Sequence, residues 1–103
     1  MTETMLNAAG IPNRETRYPA PPAGTYAVWT EDITASGPDG CNRIFEHEAT
    51  VELYGRKPDP VAEAAFEKQL DEHGLAYEKQ ARYWLQTEQL YQTIYEFSYI
   101  VKT

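Results

Sequence analysis

The clearest two-residue period lies at the end of the chain, in LYQTIYEFSYIVK, residues 90–102. Odd positions carry Tyr91, Thr93, Tyr95, Phe97, Tyr99 and Val101, while Leu90, Ile94 and Ile100 share the even positions with Gln92, Glu96 and Ser98. Successive strand residues point to opposite faces, so this pattern predicts a strand with apolar weight on both sides. One side packs under a helix and the other is half exposed or meets another protein, and residue types alone do not assign the parity. AYEKQARYWLQ before it predicts an antiparallel partner, joined through a polar turn near Gln86–Gln89. Upstream, Thr25–Ile33 alternates Tyr26 and Val28 against Ala27 and Trp29. From Asn42 to Tyr54, Ala49, Val51 and Leu53 oppose Glu48, Thr50, Glu52 and Tyr54. Between these two strands TASGPDGC reads as a loop.

The period changes after GRKPDP. Ala62, Phe66 and Leu70 recur every four residues with Val61 and Ala65 beside them, predicting a helix from an Asp59 N-cap and Pro60 to about His73, stopped by Gly74. Its other face, with Glu63, Glu67, Lys68, Asp71 and Glu72, reads as solvated, and His73 suits the helix's negative end. Residues 2–9 predict a short helix with Thr2 or Thr4 as N-cap and Gly10 as its stop. Pro12, Pro19, Pro21, Pro22 and Gly24 then make residues 11–24 an extended arm. The expected order is α-β-β-α-β-β: an α+β fold with an antiparallel four-stranded sheet against one main helix and a short N-terminal helix. Residues 1–103 read as a single domain, 1–24 being the short helix and Pro-rich arm and 25–103 the core.

Charge narrows the function. Nine Lys and Arg against sixteen Asp and Glu give a formal charge of -7, which opposes binding to phosphate backbones and makes a base-stacking role for the aromatic stripe unattractive. No apolar run is long enough to cross a bilayer, MTETMLNAAG lacks the form of a secretory signal, and Cys41 has no internal disulfide partner, so a reducing cytoplasm is expected. Cys41, His47, Glu46 and Glu48 match no zinc spacing, and strand alternation turns His47 away from its glutamate neighbours. No phosphate loop, nucleophile elbow or metalloprotease helix occurs, and no carboxylate pair sits in an apolar run. No catalytic, cofactor or metal site is expected, and the chain does not read as an enzyme.

PPAGTYAVW, VELYGRKPDP, LDEHGLAYEK and TEQLYQTIYEF, in this order and spacing, resemble the small tail terminator (minor tail, tail completion) proteins of long-tailed phages and prophages over Pro22 to Val101. The N-terminal helix is shorter than that family's pattern. The resemblance implies a virion protein, assembled in the bacterial cytoplasm, that caps the head-proximal end of the tail tube as a ring, usually a hexamer. Its implied partners are further copies of itself, the tail tube protein and the head–tail connector protein, with DNA passing through without specific binding. A ring needs two different complementary patches on each subunit. The candidates are Tyr18, Pro21 and Pro22 of the arm, Ser36, Asp39 and Asn42 of the loop, and the aromatic patch of Tyr83, Tyr91, Tyr95 and Tyr99. A head completion protein of the same virion is one alternative. Another is an acidic inhibitor that imitates DNA, which predicts carboxylates arrayed on one surface, whereas in sequence they alternate with Lys57, Lys68, Lys79 and Arg82.

Overall fold

A computed structural model describes residues 1–37 and 44–102. Asp39, Cys41 and Asn42 lie outside the described residues. The elements are α1 (Thr2–Ala8), β1 (Asn13–Glu15), β2 (Tyr26–Ser36), β3 (Ile44–Gly55), α2 (Pro60–Glu72), β4 (Tyr77–Lys79), β5 (Tyr83–Leu85) and β6 (Leu90–Lys102). The class is α+β, as the pattern predicts, but the expected four-stranded antiparallel sheet is in fact a mixed sheet of six strands. Its order is β1-β2-β3-β6-β4, with β5 also on β6 and β1 parallel to β2.

The extra strands have local causes. Between Pro12 and Pro19 the arm keeps its amide donors and joins the sheet margin, where proline is tolerated. Ala27 N donates to Pro12 O and Thr16 N to Trp29 O, both at 2.8 Å. Thr16 then turns into the left-handed region (φ 68), ending β1. The expected single strand over AYEKQARYWLQ is broken because the register on β6 slips by one residue, with Tyr77 opposite Phe97 but Tyr83 opposite Gln92. This extra residue is a β-bulge, and it turns the side chains of Lys79 and Arg82 to the same face of the sheet.

Helix α2 begins as its sequence dictates. Asp59 accepts from Ala62 N at 3.0 Å and from Thr25 Oγ1 at 2.6 Å, Pro60 occupies the first turn, and Gly74 (φ 67) carries the left-handed stop. Phe66 and Leu70 are fully buried, whereas Val61, expected beside them, is 79% exposed. The buried stripe instead includes Glu63, one turn before Phe66, so the expected solvated face is corrected at Glu63 and at half-buried Glu67. Helix α1 has Met1 at its N-cap and so no side-chain cap; Thr2 and Thr4, expected there, lie inside the helix, and the Thr2 hydroxyl donates to Glu31.

Both helices cover one face of the sheet. Met5, Leu6 and Ile11 join Ala27, Val51, Leu53, Phe66, Leu70, Tyr95 and Phe97 in the core cluster. Each fully buried large side chain here contributes about 1.5–3 kcal/mol through removal from water. The parity of the last strand follows: Thr93, Tyr95, Phe97 and Tyr99 lie under the helices, while Leu90, Ile94, Glu96, Ser98 and Ile100 face the uncovered side.

Candidate functional site

Carboxylates divide into two sets with different surroundings. Beneath the helices, Glu63 accepts from Lys79 Nζ at 2.9 Å, Arg82 Nη2 at 2.9 Å and Nε at 3.2 Å, and Thr93 Oγ1 at 3.4 Å. Glu67 accepts from Lys79 Nζ at 2.8 Å and the Tyr95 hydroxyl at 2.7 Å. At the other end of the core, Glu31 accepts from Thr2 and from the Tyr99 hydroxyl at 2.9 Å and lies 3.2 Å from His47 Nδ1, whose ring stacks on Tyr99. Burial opposes ionisation of all three glutamates, yet the donors outweigh it and hold each carboxyl below the usual range. Burial and the adjacent carboxylate push the Tyr99 phenol up to about 12 and the Tyr95 phenol higher still. With every buried side-chain nitrogen and oxygen among the described residues partnered, these clusters act as locks between the helices and the sheet.

The uncovered face is different. Alternation places Asp32 of β2, Glu46, Glu48 and Glu52 of β3, Glu78 of β4 and Glu96 of β6 on it. Register sets Asp32 opposite Glu48 and Glu78 opposite Glu96. Among the described strand residues on that face only Arg14 and Lys102 are cationic, one at each end, because Lys79 points to the helix side. A depression of about 470 Å³ lies at the centre, lined by Asp32, Glu48, Glu78 and Glu96 with Thr50 and Ser98.

At the Arg14 end the same face becomes aromatic. Tyr26 stacks on Tyr54 with ring centroids 5.4 Å apart, Tyr18 meets Tyr26 edge-on at 5.5 Å, and Arg14 lies 5.7 Å from the centroid of Tyr18. The Tyr54 hydroxyl donates to Glu52 and accepts from Gln92, each at 3.0 Å; burial first, then the Glu52 carboxylate, raises its pKa to about 12. A groove of about 310 Å³ runs here beside Tyr18, Pro21, Tyr26, Tyr54, Leu85 and Leu90.

The candidate interface residues therefore separate. Tyr18 and Pro21 line the aromatic groove, and half-buried Pro22 sits on the same arm outside it. Ser36 ends β2 rather than lying in a loop, and Tyr83, 65% exposed, stands on the uncovered face. Tyr91 is half-buried on the helix side against Trp84, with ring centroids 4.8 Å apart. Tyr95 and Tyr99 are buried beneath the helices, which corrects their assignment to an outer patch: their stripe is core, and its opposite parity is open. Sequence reasoning missed Glu31, Glu63 and Glu67. For Glu63 the readable signal was its place one turn before Phe66 together with two cations, Lys79 and Arg82, on the next chain segment.

Among the described residues no group of three or more His, Cys, Asp or Glu is placed to hold a metal ion, and no helix is long and apolar enough to cross a membrane. In comparisons with known proteins, no family model and no curated protein matches the chain.

Proposed function

We propose that the chain is a structural virion subunit, a tail terminator that caps the head-proximal end of a phage tail tube as a ring and joins it to the head connector. The observation that carries this reading is the one-sided sheet, with helices on one face and carboxylates concentrated on the other. A passage for DNA needs a wall that does not hold phosphates, and a face bearing Asp32, Glu46, Glu48, Glu52, Glu78 and Glu96 repels them. On this reading the uncovered face lines the lumen and the helices face outward. Gold-labelled antibody against the chain should mark the head–tail junction of intact virions. Label confined to the head after tails are removed would favour a head completion protein, and unlabelled virions would refute both.

The same observation favours a second reading. The cations that interrupt the carboxylates in sequence leave this face in the fold, which is what an inhibitor imitating DNA requires. Alternate carboxylates on one strand, such as Glu46 and Glu48, stand about 6.7 Å apart from the strand rise alone. Co-purification with a DNA-binding enzyme, displaced by duplex DNA, would select this reading over the ring.

A further inference from the structure

The central strands β2, β3 and β6 continue past their neighbours. β1 covers β2 only at Ala27–Trp29, and β4 covers β6 only at Tyr95–Phe97. Among the described residues, Thr30–Ser36 of β2 and Ser98–Lys102 of β6 therefore pair with β3 on one side and with nothing on the other. Ile33 (57%), Ile100 (59%) and Val101 (39%) are exposed there. Natural sheets protect such edges with proline, bulges or inward charges. Among these residues the inward Glu31 and the adjacent Asp32 lie at the start of the β2 stretch and Lys102 at the end of the β6 stretch, which leaves Ile33–Ser36 and Ser98–Val101 without such a device.

The direction of the unpaired backbone groups can be read from their neighbours. Ala27 N and Trp29 O bond outward to the β1 side, so the alternate residues Glu31, Ile33 and Ala35 present their N–H and C=O groups outward on the same edge. Ile94 O bonds outward to Gln80 N, so Ser98, Ile100 and Lys102 do so on the opposite edge. Both strands run antiparallel to β3 and hence parallel to each other.

We propose that these two edges pair with each other between copies of this chain: β2 of one subunit adds in parallel to β6 of the next, continuing the sheet from subunit to subunit. In a parallel ladder an outward residue bonds to the two neighbours of the residue it faces. Ile33 facing Tyr99 then bonds to Ser98 and Ile100, both of which point outward, and Ala35 faces Val101. This register keeps the helices of all subunits on one side. An antiparallel β2–β6 contact would match helix-side Ile33 with open-side Ile100 and put neighbouring helix layers on opposite sides. Charge agrees: the β2 edge carries Glu31 and Asp32 without a cation and Ser98–Lys102 of the β6 edge carry no acid, so pairing β2 on β2 brings acids together and pairing β2 on β6 does not. Such a head-to-tail contact closes into a ring or runs on as a filament.

The proposal deepens the ring reading, and its test separates the two. In a Cys41→Ser background, chains carrying Ala35→Cys and chains carrying Val101→Cys are mixed and oxidised at a concentration where the wild type assembles. The expected product is the mixed disulfide dimer in large excess over either homodimer, with the doubly substituted chain forming covalent ladders that end at the ring number. Ile33→Pro and Ile100→Pro each remove an outward N–H without touching the bonds to β3. Each should raise the assembly concentration by roughly tenfold while leaving the circular dichroism of the monomer unchanged. Wild-type rings without the mixed dimer would overturn the edge pairing and leave the ring standing. Mixed dimers in open filaments would support the pairing and refute the ring. Preferred Ala35→Cys homodimers, or a chain monomeric at every concentration, would overturn the pairing.

Discussion

Glu63→Gln is the sharpest test of what ties α2 to the bulged edge of the sheet. The Glu63 side chain is 7% exposed and takes both Lys79 and Arg82, which are 37% and 34% exposed. Removing one member of a buried ion pair costs about 3–5 kcal/mol because a charge is left without its partner. Here Arg82 loses its anion while Lys79 keeps Glu67, both cations reach water, and glutamine still accepts a hydrogen bond, which together bring the expected loss to about 2 kcal/mol. For a chain of this size that corresponds to a midpoint lower by about 10 °C. Thermal melts followed by circular dichroism at neutral pH measure it, with Glu72→Gln as the control. Glu72 meets Lys68 at 3.8 Å between exposed side chains, and its loss should cost less than about 0.5 kcal/mol. An Arg82→Met cycle should return a coupling of about 1 kcal/mol with Glu63. A Glu63→Gln melt indistinguishable from that of the control, or fully additive double substitution, would refute the lock.

Because donors hold Glu31, Glu63 and Glu67 below the ordinary carboxyl range, their stabilisation is complete above the unfolded value near pH 4.5. It is lost as pH falls through the lower folded values, so urea midpoints should be flat from about pH 6 to 7 and drop below pH 4.5, less steeply in Glu63→Gln. Tyr95 and Tyr99 are raised, so the opposite sign holds at the alkaline end: their contribution is complete below about pH 10 and is lost above it, and Tyr95→Phe should flatten that loss. Asp59→Ala removes the N-cap bond to Ala62 and the bond from Thr25, and should cost about 1–2 kcal/mol in urea unfolding. Deleting Ala81 removes the extra residue of the bulge and turns Arg82 from Glu63. It should destabilise at least as much as Glu63→Gln, and a deletion without effect would show the bulge to be idle.

The strands and the main helix were legible because their signals are local: period two from Tyr26 and from Leu90, and Asp59-Pro60 opening a helix that Gly74 ends. What stayed hidden depends on distant partners. Strand β1 exists because the β2 edge lies beside Asn13–Glu15, and nothing in NRE alone specifies a strand. The break between β4 and β5 is set by register on β6, and the burial of Glu63 by cations that follow it in the chain after the helix has ended. The parity of the last strand could not be read because both faces carry apolar residues. The fold decides it by placing Phe66 over Tyr95, with ring centroids 5.2 Å apart. The separation of charge follows from the same step: once the odd positions of β6 take the core, the even positions and their partners on β2, β3 and β4 collect the open-side carboxylates.

The proposed role is tested most directly by electron microscopy of phage tails assembled in cells that lack this chain. The ring reading predicts tubes of uncontrolled length or tails of normal length that fail to join filled heads, restored by the wild-type chain. Tails of normal length joined to heads without it would contradict the account.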